Sequence, residues 1–575
     1  MNKAEIASVL YEVGSILDLL DENPFKVRAH NNAARAIEAL SEDIRALAGA
    51  GELTTIKGVG KQIAEKIEIL LNTGALPELD ELKAKVPDGV FEMLKISGLG
   101  VKKVKTVWRK LGAASIGELE YACNENRLVE LDGFGAKSQE RILKGIETIK
   151  KFAGKRRLPD ALAVADSILD HMKKEKSVIR LDIAGSVRRR NEVIKNIDII
   201  SASARPEKVI SHFAKAPGVM EVVFRGETKS TIRLESGARV NIRVVSEEEF
   251  PYALHYFTGS LEYNRAMSRR AKSMGLEMNE YGLFKNGELV RCNDETEIFQ
   301  TLGLQFIPAE RRENIGEIGE AQNKSAKTLI EVEDITGVIH CHTDYSDGLE
   351  TVETMAEACV ARGYKYLGVS DHSRSAGYAG GLTIDDLKRQ SDHIDKVNEK
   401  SPGFHIFKGV ESDILADGKL DYPDEVLEKL DFVIASVHSR FNQDEEKMTE
   451  RIINAVRHPL TTMLGHPTGR LLLARDGYSV NMSSVIEACA EAGVIMELNA
   501  NPHRLDIDWR HIGDALKAGV KISVNADAHR IPGLDHIKYG VMIARKGGCA
   551  KEDVFNTLDV SAISEYFKKQ NAGHK

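Results

Sequence analysis

Six histidines and three carboxylates recur through the carboxy-terminal part of this 575-residue chain, each close to the end of a short apolar run: His340, His342, Asp347, His372, Glu411, His438, His466, Asp527 and His529. Nine such donors exceed what one ion takes, so the pattern predicts a multinuclear metal site. No cysteine falls at a matching spacing, and the set suits Mn2+, Zn2+ or Fe2+ in a catalytic centre better than a closed structural zinc site. A single histidine of this kind is ordinarily a strand cap or a satisfied core group; recurrence at strand ends favours catalysis. Divalent ions held side by side acidify water and steady both the attacking and leaving oxygens of a phosphoester, which makes phosphodiester hydrolysis the predicted reaction class. The donors alone name no substrate.

The elements that must position these groups are short runs rich in Val, Ile and Leu: Tyr366 to Val369, Ile406 to Val410, Phe432 to Val437, Thr462 to Leu464, Val494 to Leu498 and Ile522 to Val524. Such runs read as buried parallel strands, with helical patterns such as Val352 to Ala361 and Val485 to Ala492 between them. The alternation predicts a β/α barrel with its chemistry at the strand C-termini. His340 and His342, at i and i+2, are expected to project from one face of an extended strand, with Cys341 on the other.

A chain of this length is too long for one core and predicts three or four domains. It contains no apolar run long enough to cross a bilayer, and Met1-Asn-Lys-Ala-Glu-Ile opens without a secretory apolar region, so a cytoplasmic protein without membrane contact is expected. Six cysteines without a C-x-x-C pair fit reduced thiols. The net charge of -8 argues against a nucleic-acid partner only if read globally, because the acidic excess falls after residue 157. Basic residues cluster before that point, at Lys102, Lys103 and Lys105 with Arg109 and Lys110, and at Lys150 and Lys151 with Lys155, Arg156 and Arg157.

Those clusters accompany an internal repeat, Ile56-Lys-Gly-Val-Gly-Lys61, Ile96-Ser-Gly-Leu-Gly-Val101 and Leu131-Asp-Gly-Phe-Gly-Ala136, each leading into a helical pattern. An apolar residue, Gly-x-Gly and a helix make a tight turn whose backbone N–H groups face outward and can grip a phosphate. Gly58, Gly60, Gly98, Gly100, Gly133 and Gly135 are the predicted backbone contacts. The three turns resemble helix-hairpin-helix motifs, which hold DNA without reading bases.

Between repeat and metal ligands lie Ala184-Gly-Ser-Val-Arg-Arg189, Ile197-Asp-Ile-Ile-Ser201, Arg239-Val-Asn-Ile-Arg243 and Tyr256-Phe-Thr-Gly-Ser260 with Asn264. The three regions in this order resemble the bacterial and archaeal family X DNA polymerases, in which a β-like polymerase precedes a PHP (polymerase and histidinol phosphatase) domain. The resemblance implies a multidomain α and α/β protein: helix-hairpin-helix domains, a nucleotidyltransferase-type palm with a fingers- or thumb-like extension, and a seven-stranded, distorted TIM-like barrel. The expected boundaries are 1–85 for a lyase-like helical domain with the first hairpin, 86–157 for the second and third hairpins and 158–310 for the palm and nucleotide-selection subdomain. A linker at 311–336 and the PHP domain at 337–575 complete the chain. It further implies that Gly185, Ser186 and Arg189 contact a nucleotide triphosphate, that Tyr256, Phe257 and Gly259 contact its sugar and Asn264 its base. Lys26 and Lys66 fall where the family's lyase domain keeps basic residues, Lys66 at the position able to form a Schiff base.

One departure matters. Nucleotidyl transfer by such a palm needs three carboxylates around two divalent ions, and here two of the positions are Asn196 and Asn241, leaving Asp198 alone. Asparagine keeps an oxygen but loses the charge, so weak binding of Mg2+ or Mn2+ and weak or lost gap filling are expected, unless Glu192 or Glu235 compensates. The expected function is DNA repair: a monomeric, metal-dependent 3′-5′ exonuclease with Mn2+ or Zn2+ in the PHP site, with abasic-site cutting or 3′-end processing as further uses of it. Its DNA would be gapped, nicked or 3′-ended duplex, with a dNTP as a further ligand. The alternatives are an active gap-filling polymerase in base excision repair, a non-catalytic gap-binding scaffold, and a small-molecule phosphatase. Asp371 is expected to orient an imidazole rather than bind metal, Asn499, Asn501 and His503 to form an Asx turn, and Arg374, Arg440 and Arg470 are candidate phosphate contacts.

Overall fold

A computed structural model describes residues 3–572 apart from 39, 41–43, 97 and 130. Met1, Asn2, Ser97 of the second glycine turn and the Lys151 side chain of the basic run lie outside the described residues. The chain divides into two compact units, Met1–Ile149 and Lys150–Lys575.

The first unit is helical. Apolar residues recur at helical spacing in Lys61–Thr73, where Ile63, Ala64, Ile67 and Leu70 are buried, and these join Ile6, Leu10 and Val13 in one core. The three glycine repeats fold alike. In each, the residue between the glycines donates its N–H to the apolar residue that opens the repeat: Val59 to Ile56 at 2.9 Å, Leu99 to Ile96 at 3.1 Å and Phe134 to Leu131 at 2.9 Å. The turn requires a left-handed first glycine, and Gly58, Gly98 and Gly133 have φ of 99°, 86° and 83°.

The second unit begins with a five-stranded mixed sheet: β1 (Arg180–Ala184), β2 (Ile197–Ala202), β3 (Val219–Arg225), β4 (Lys229–Leu234) and β5 (Arg239–Val245). Their order is β1-β2-β5-β4-β3, with β2 and β5 parallel and the other pairs antiparallel. Alternation sends Ile197, Ile199, Ile232, Val240 and Ile242 into a core beneath the sheet, while Asp198, Asn241 and Thr231 stand side by side on the other face, in register across three strands.

The barrel follows: β6 (Val338–Cys341), β7 (Tyr366–Val369), β8 (His405–Asp413), β9 (Phe432–Ser436), β10 (Met463–Leu464), β11 (Ile495–Asn499) and β12 (Ile522–Asn525). These seven parallel strands pair in chain order, and a parallel bridge from Cys341 to Ala528 joins the ends of β6 and β12. Helices Val352–Ala361 and Met482–Ala492 lie between strands, as the sequence pattern predicts. An aromatic cluster holds Phe407, Phe432 and Ile495 against the carboxy-terminal helix Val560–Ala572, whose Phe567 stacks on Phe432 at 5.5 Å.

The segment 311–336, expected as a linker, is a packed one. Arg312 is fully buried on Glu295, Glu317 is buried and accepts the N–H groups of Asn314 and Ile315 at 2.7 Å, and Ile330 joins the barrel core. Its charged composition concealed this because several of its charges, such as Arg312 on Glu295, Glu313 on Arg189 and Lys327 on Asp553, have partners outside the segment.

Candidate metal centre and palm site

The nine predicted donors lie at the C-terminal ends of the barrel strands, and all but Asp347 and His438 are almost fully buried. Three overlapping groups have ligand atoms close enough to share an ion: His342, Asp347, His372 and His529; His340, His342 and Asp527; and His372, Glu411 and His438. His466 joins through Glu411, its Nε2 lying 2.9 Å from Oε1. Glu411 thus sits at the centre, with His438 Nε2 at 3.1 Å and His372 Nδ1 at 2.9 Å. Asp347 lies 3.2 Å from His529 Nε2 and 3.6 Å from His372 Nε2.

His340 and His342 reach one group with Asp527 and Cys341 joins the core that includes Val352 and Met355, as expected, but the strand end that carries them is not regular. The pairing of β6 with β7 shifts register between Val338 and Cys341, and His340 adopts a φ of 70°. This left-handed residue turns the strand end, and the two imidazoles meet with ring centres 5.2 Å apart. His466 and Asp527 also have positive φ, 25° and 49°. Non-glycine residues held there cost about 1–3 kcal/mol each, a cost characteristically found where ligands must be aimed.

Two buried carboxylates that the sequence reading missed fix the imidazoles. His340 donates Nδ1–H to Glu497 at 2.5 Å, and His438 donates Nδ1–H to Asp413 at 2.6 Å. Each bond leaves Nε2 as the nitrogen with a lone pair toward the centre. Glu497 also accepts from the His466 N–H at 2.6 Å, from Asn525 Nδ2 at 2.9 Å and from Asn499 Nδ2 at 3.3 Å. Its signal was available: an acid inside an apolar run, at the inward-facing position of β11 between Ile495 and Asn499. Asp413 stands two residues after Glu411, on the same face of β8.

The charges are strongly interdependent. Burial would raise Glu411, yet His438, His340 and His372 hold it well below the usual carboxylate range. Burial pulls His438 down, but Glu411 and Asp413 outweigh it and leave it at about 9. Burial prevails at His372 and, helped by Arg504, at His466, which fall to about 4. His340 Nε2, both nitrogens of His342 and of His372, and Glu411 Oε2 are buried without a well-formed hydrogen bond. Buried polar atoms are costly in that condition, and their convergence with a six-imidazole, three-carboxylate donor set fits divalent cations.

The residues beside the ligands do other work. Asp371 orients no imidazole, contrary to expectation: it accepts from the Thr343 N–H at 2.7 Å, the Thr343 hydroxyl at 2.6 Å, Ser346 and Gln390, which anchors the loop carrying Asp347. Asn499 does form the Asx turn, accepting from the Asn501 N–H at 3.0 Å, while its Nδ2 donates to Asp527 at 2.9 Å. His503 meets Arg157 at 2.7 Å. Arg374 pairs with Asp421 at 3.3 Å, Arg440 is exposed at a φ of 57°, and Arg470 pairs with Asp508 and, at 3.1 Å, with Glu192.

In the palm, Asn241 donates its amide Nδ2 to Asp198 Oδ1 at 2.8 Å, and Thr231 donates its hydroxyl to Asn241 Oδ1 at 2.9 Å. The Asp198 carboxylate, which can only accept, fixes which end of the amide faces it, and the Thr231 hydroxyl rotates to donate to the other. Asn196 immediately precedes β2. Glu192 is buried on Arg470, and Glu235 is exposed in the turn between β4 and β5. Gly185, at a φ of 62°, leaves no room for a Cβ beside the Asp198 carboxylate; Ser186 follows it in the short helix Gly185–Arg188. Arg189 donates Nε–H to Glu313 at 3.0 Å and bonds the Thr258 carbonyl. Lys546, buried in the barrel helix Ile537–Gly547, reaches Glu313 at 2.5 Å and the Arg189 carbonyl at 3.0 Å. Tyr256 and Phe257 are half-buried with rings edge to face at 5.3 Å, Gly259 lies against Arg189, and Asn264 donates to the Tyr256 carbonyl at 2.7 Å.

In the helical unit, Gly60 and Gly100 are the N-caps of Lys61–Thr73 and Val101–Leu111, and Gly135 accepts the first helical N–H, from Ser138, at 2.8 Å. A Cβ at Gly60, Gly100, Gly133 or Gly135 would meet nothing, so these turns face open space. Lys66 lies 2.6 Å from Glu78 and 2.9 Å from His30 Nε2; Lys26 is exposed near Glu22.

Family models match four stretches: a helix-hairpin-helix domain at 1–76, a SAM-like helix-hairpin-helix tandem at 90–148, a DNA polymerase beta thumb at 253–313 and a PHP domain at 339–501. A Bacillus subtilis protein, "DNA polymerase/3'-5' exonuclease PolX", is 37% identical over 99% of this chain and 100% of its own. A probable phosphatase of Thermoanaerobacter sp. is 31% identical over 40% of this chain and 94% of its own. DNA polymerase lambda of Rattus norvegicus is 25% identical over 48% of this chain and 51% of its own. With hairpin repeats, thumb and PHP barrel in the same order as a full-length relative, the chain belongs to the family X DNA polymerases of the PolX type.

Proposed function

We propose that this protein is a metal-dependent DNA phosphodiesterase that shortens DNA from its 3′ end at the PHP centre, while the palm holds a DNA end or nucleotide without templated synthesis. One contrast carries the reading: nine donors converge in the barrel, whereas the palm keeps a single carboxylate with an amide N–H already on it. Mn2+ or Zn2+ suits the barrel donors. His342, Asp347, His372 and His529, the trio His340, His342 and Asp527, and the trio His372, Glu411 and His438 are overlapping groups, each able to hold an ion, with His466 beside Glu411. When bound, such ions acidify water and offset phosphate charge. Glu497 and Asp413 keep His340 and His438 in one tautomer and orientation throughout. Abasic-site cutting would be the same hydrolysis at an internal phosphodiester, and removal of 3′ blocks its counterpart at a modified end.

DNA as substrate is supported by the exonuclease in the name of the Bacillus relative and by the outward-facing glycine turns. In this reading the chain is organised as 1–85, 86–157, 158–310 and 337–575, with 311–336 as a packed connection. The test offers a 5′-labelled oligonucleotide and a small phosphomonoester with Mn2+. Stepwise 3′ shortening, absent in His340→Ala, is expected; hydrolysis of the monoester alone would make the protein a phosphatase instead.

Templated gap filling is the second reading, favoured by the polymerase names of the relatives. The Asn241 amide counts against it, because a metal ion approaching Asp198 would meet an N–H donor where the family has a carboxylate.

A further inference from the structure

Two arginines stand at the same offset from two ligands of one metal group. Arg374 and Arg440 follow by two residues His372 and His438, whose ring centres lie 5.2 Å apart and which both contact Glu411. Arg374 is already engaged, its Nε–H donating to buried Asp421 at 3.3 Å. Arg440 is not. It is exposed, and among the described residues no hydrogen bond or ion pair reaches its guanidinium. The next acid along the chain, Asp444, caps the helix Glu445–Val456 and pairs with Lys447 at 2.8 Å.

The backbone holds Arg440 in a conformation that its side chain disfavours. Its φ of 57° suits a glycine and strains any residue with a Cβ. Both neighbours enforce the turn. The Ser439 carbonyl accepts Nη1–H of buried Arg451 at 2.9 Å, and the same guanidinium holds the Leu415 carbonyl at 2.9 Å and Gln443 at 3.1 Å. The Phe441 ring stacks on Tyr478 with centres 6.3 Å apart and lies 4.0 Å from the Arg475 guanidinium carbon. A strained arginine between two anchored neighbours, left without a partner beside a metal group, is the arrangement of a residue held for a ligand.

We propose that Arg440 clamps the DNA backbone phosphate on the 5′ side of the scissile one, while the terminal phosphodiester lies over His372, Glu411 and His438. This rests on the phosphodiesterase reading and adds to it the feature by which the barrel favours a strand over a small phosphoester. Bound metal ions would offset the charge of the scissile group itself. The Cα of Arg440 lies no more than about 7 Å from that of His438, so its guanidinium can reach the neighbouring phosphate and donate two parallel hydrogen bonds to it. Contact with phosphate alone carries no sequence preference.

The test sets a 5′-labelled single-stranded oligonucleotide against bis(4-nitrophenyl) phosphate, each with the full chain and Mn2+. In Arg440→Ala the ratio of kcat/KM on the oligonucleotide to that on the small diester should fall about tenfold through the oligonucleotide KM, with bound Mn2+ unchanged. The log of the oligonucleotide kcat/KM should fall less steeply with the log of salt concentration, by about 0.7 in slope, and Arg440→Lys should restore the slope. Arg440→Gly, which fits the left-handed turn, should melt no lower than the parent and show the same fall, which separates phosphate contact from folding. A neutral methylphosphonate in place of the clamped phosphate should slow the parent about tenfold and Arg440→Ala hardly at all. A ratio unchanged in Arg440→Ala, or a methylphosphonate that slows parent and variant alike, overturns the clamp alone. No shortening of the oligonucleotide by the parent overturns the phosphodiesterase reading with it.

Discussion

Asn241 donates its amide to Asp198, the one carboxylate left at the palm centre, and accepts the Thr231 hydroxyl on its amide oxygen. The pair satisfies itself without a cation. Restoring Asp at 196 and 241 together should therefore change the protein twice. Without metal, adjacent carboxylates repel and lower stability; with Mg2+, primer extension should rise by about a hundredfold or more over the parent, the scale expected when a missing general base returns. Primer extension and melting with and without Mg2+ check both effects, and an unchanged extension rate in the double variant would show that the two Asn positions are not what limits synthesis.

Glu497 gives the second prediction. Glu497→Gln keeps size but removes the charge opposite His340 and sets an NH2 donor against the donors on one side of the carboxylate, since both oxygens of Glu497 now accept. Metal affinity should fall about ten- to a hundredfold, read as Mn2+ content after dialysis, with the fold retained by circular dichroism. Full metal content in the variant would show that Glu497 does not orient a ligand.

Metal itself should stabilise the barrel. Added Mn2+ should raise the melting temperature progressively with concentration, the stabilisation reaching about 3 kcal/mol at a hundredfold excess over the dissociation constant. His340→Ala should flatten this response, and a chelator should reverse it in the parent. A melting temperature indifferent to Mn2+, Zn2+ and chelator would leave the nine donors without a ligand.

How much of this was legible in the sequence depended on distance along the chain. The barrel strands were, because burial on both faces writes continuous apolar runs, and so were the glycine turns, because left-handed φ admits few residues. Glu497 was overlooked inside such a run, although the inward alternation of β11 points it at His340. The partners of Arg189 were beyond reach: Glu313 and Lys546 come from a segment read as linker and from a barrel helix, and only the fold brings them together. The bend at His340 was equally hidden, since a left-handed histidine leaves no mark in composition.

His255 sets an acid limit. It is fully buried beside Tyr263 and Phe299, and burial, with Arg312 and Arg188 nearby, lowers it from 6.5 to about 3. Its folded value lies below its unfolded one, so its contribution to stability is complete above pH 6.5 and is lost as pH falls from there toward 3, at about 1.4 kcal/mol per unit. His255→Phe should flatten the fall in urea midpoint between pH 6.5 and 4; an unaltered pH slope would assign acid sensitivity elsewhere.

In the proposed function, hydrolysis at the barrel and not synthesis at the palm is the chemistry of this chain. One gel tests it: a 5′-labelled primer in a gapped duplex, incubated with Mn2+ and all four dNTPs. Bands shorter than the primer are expected for the parent and for Asp198→Ala, and none for His340→Ala. Bands longer than the primer in the parent that vanish in Asp198→Ala, with no shortening, would contradict it.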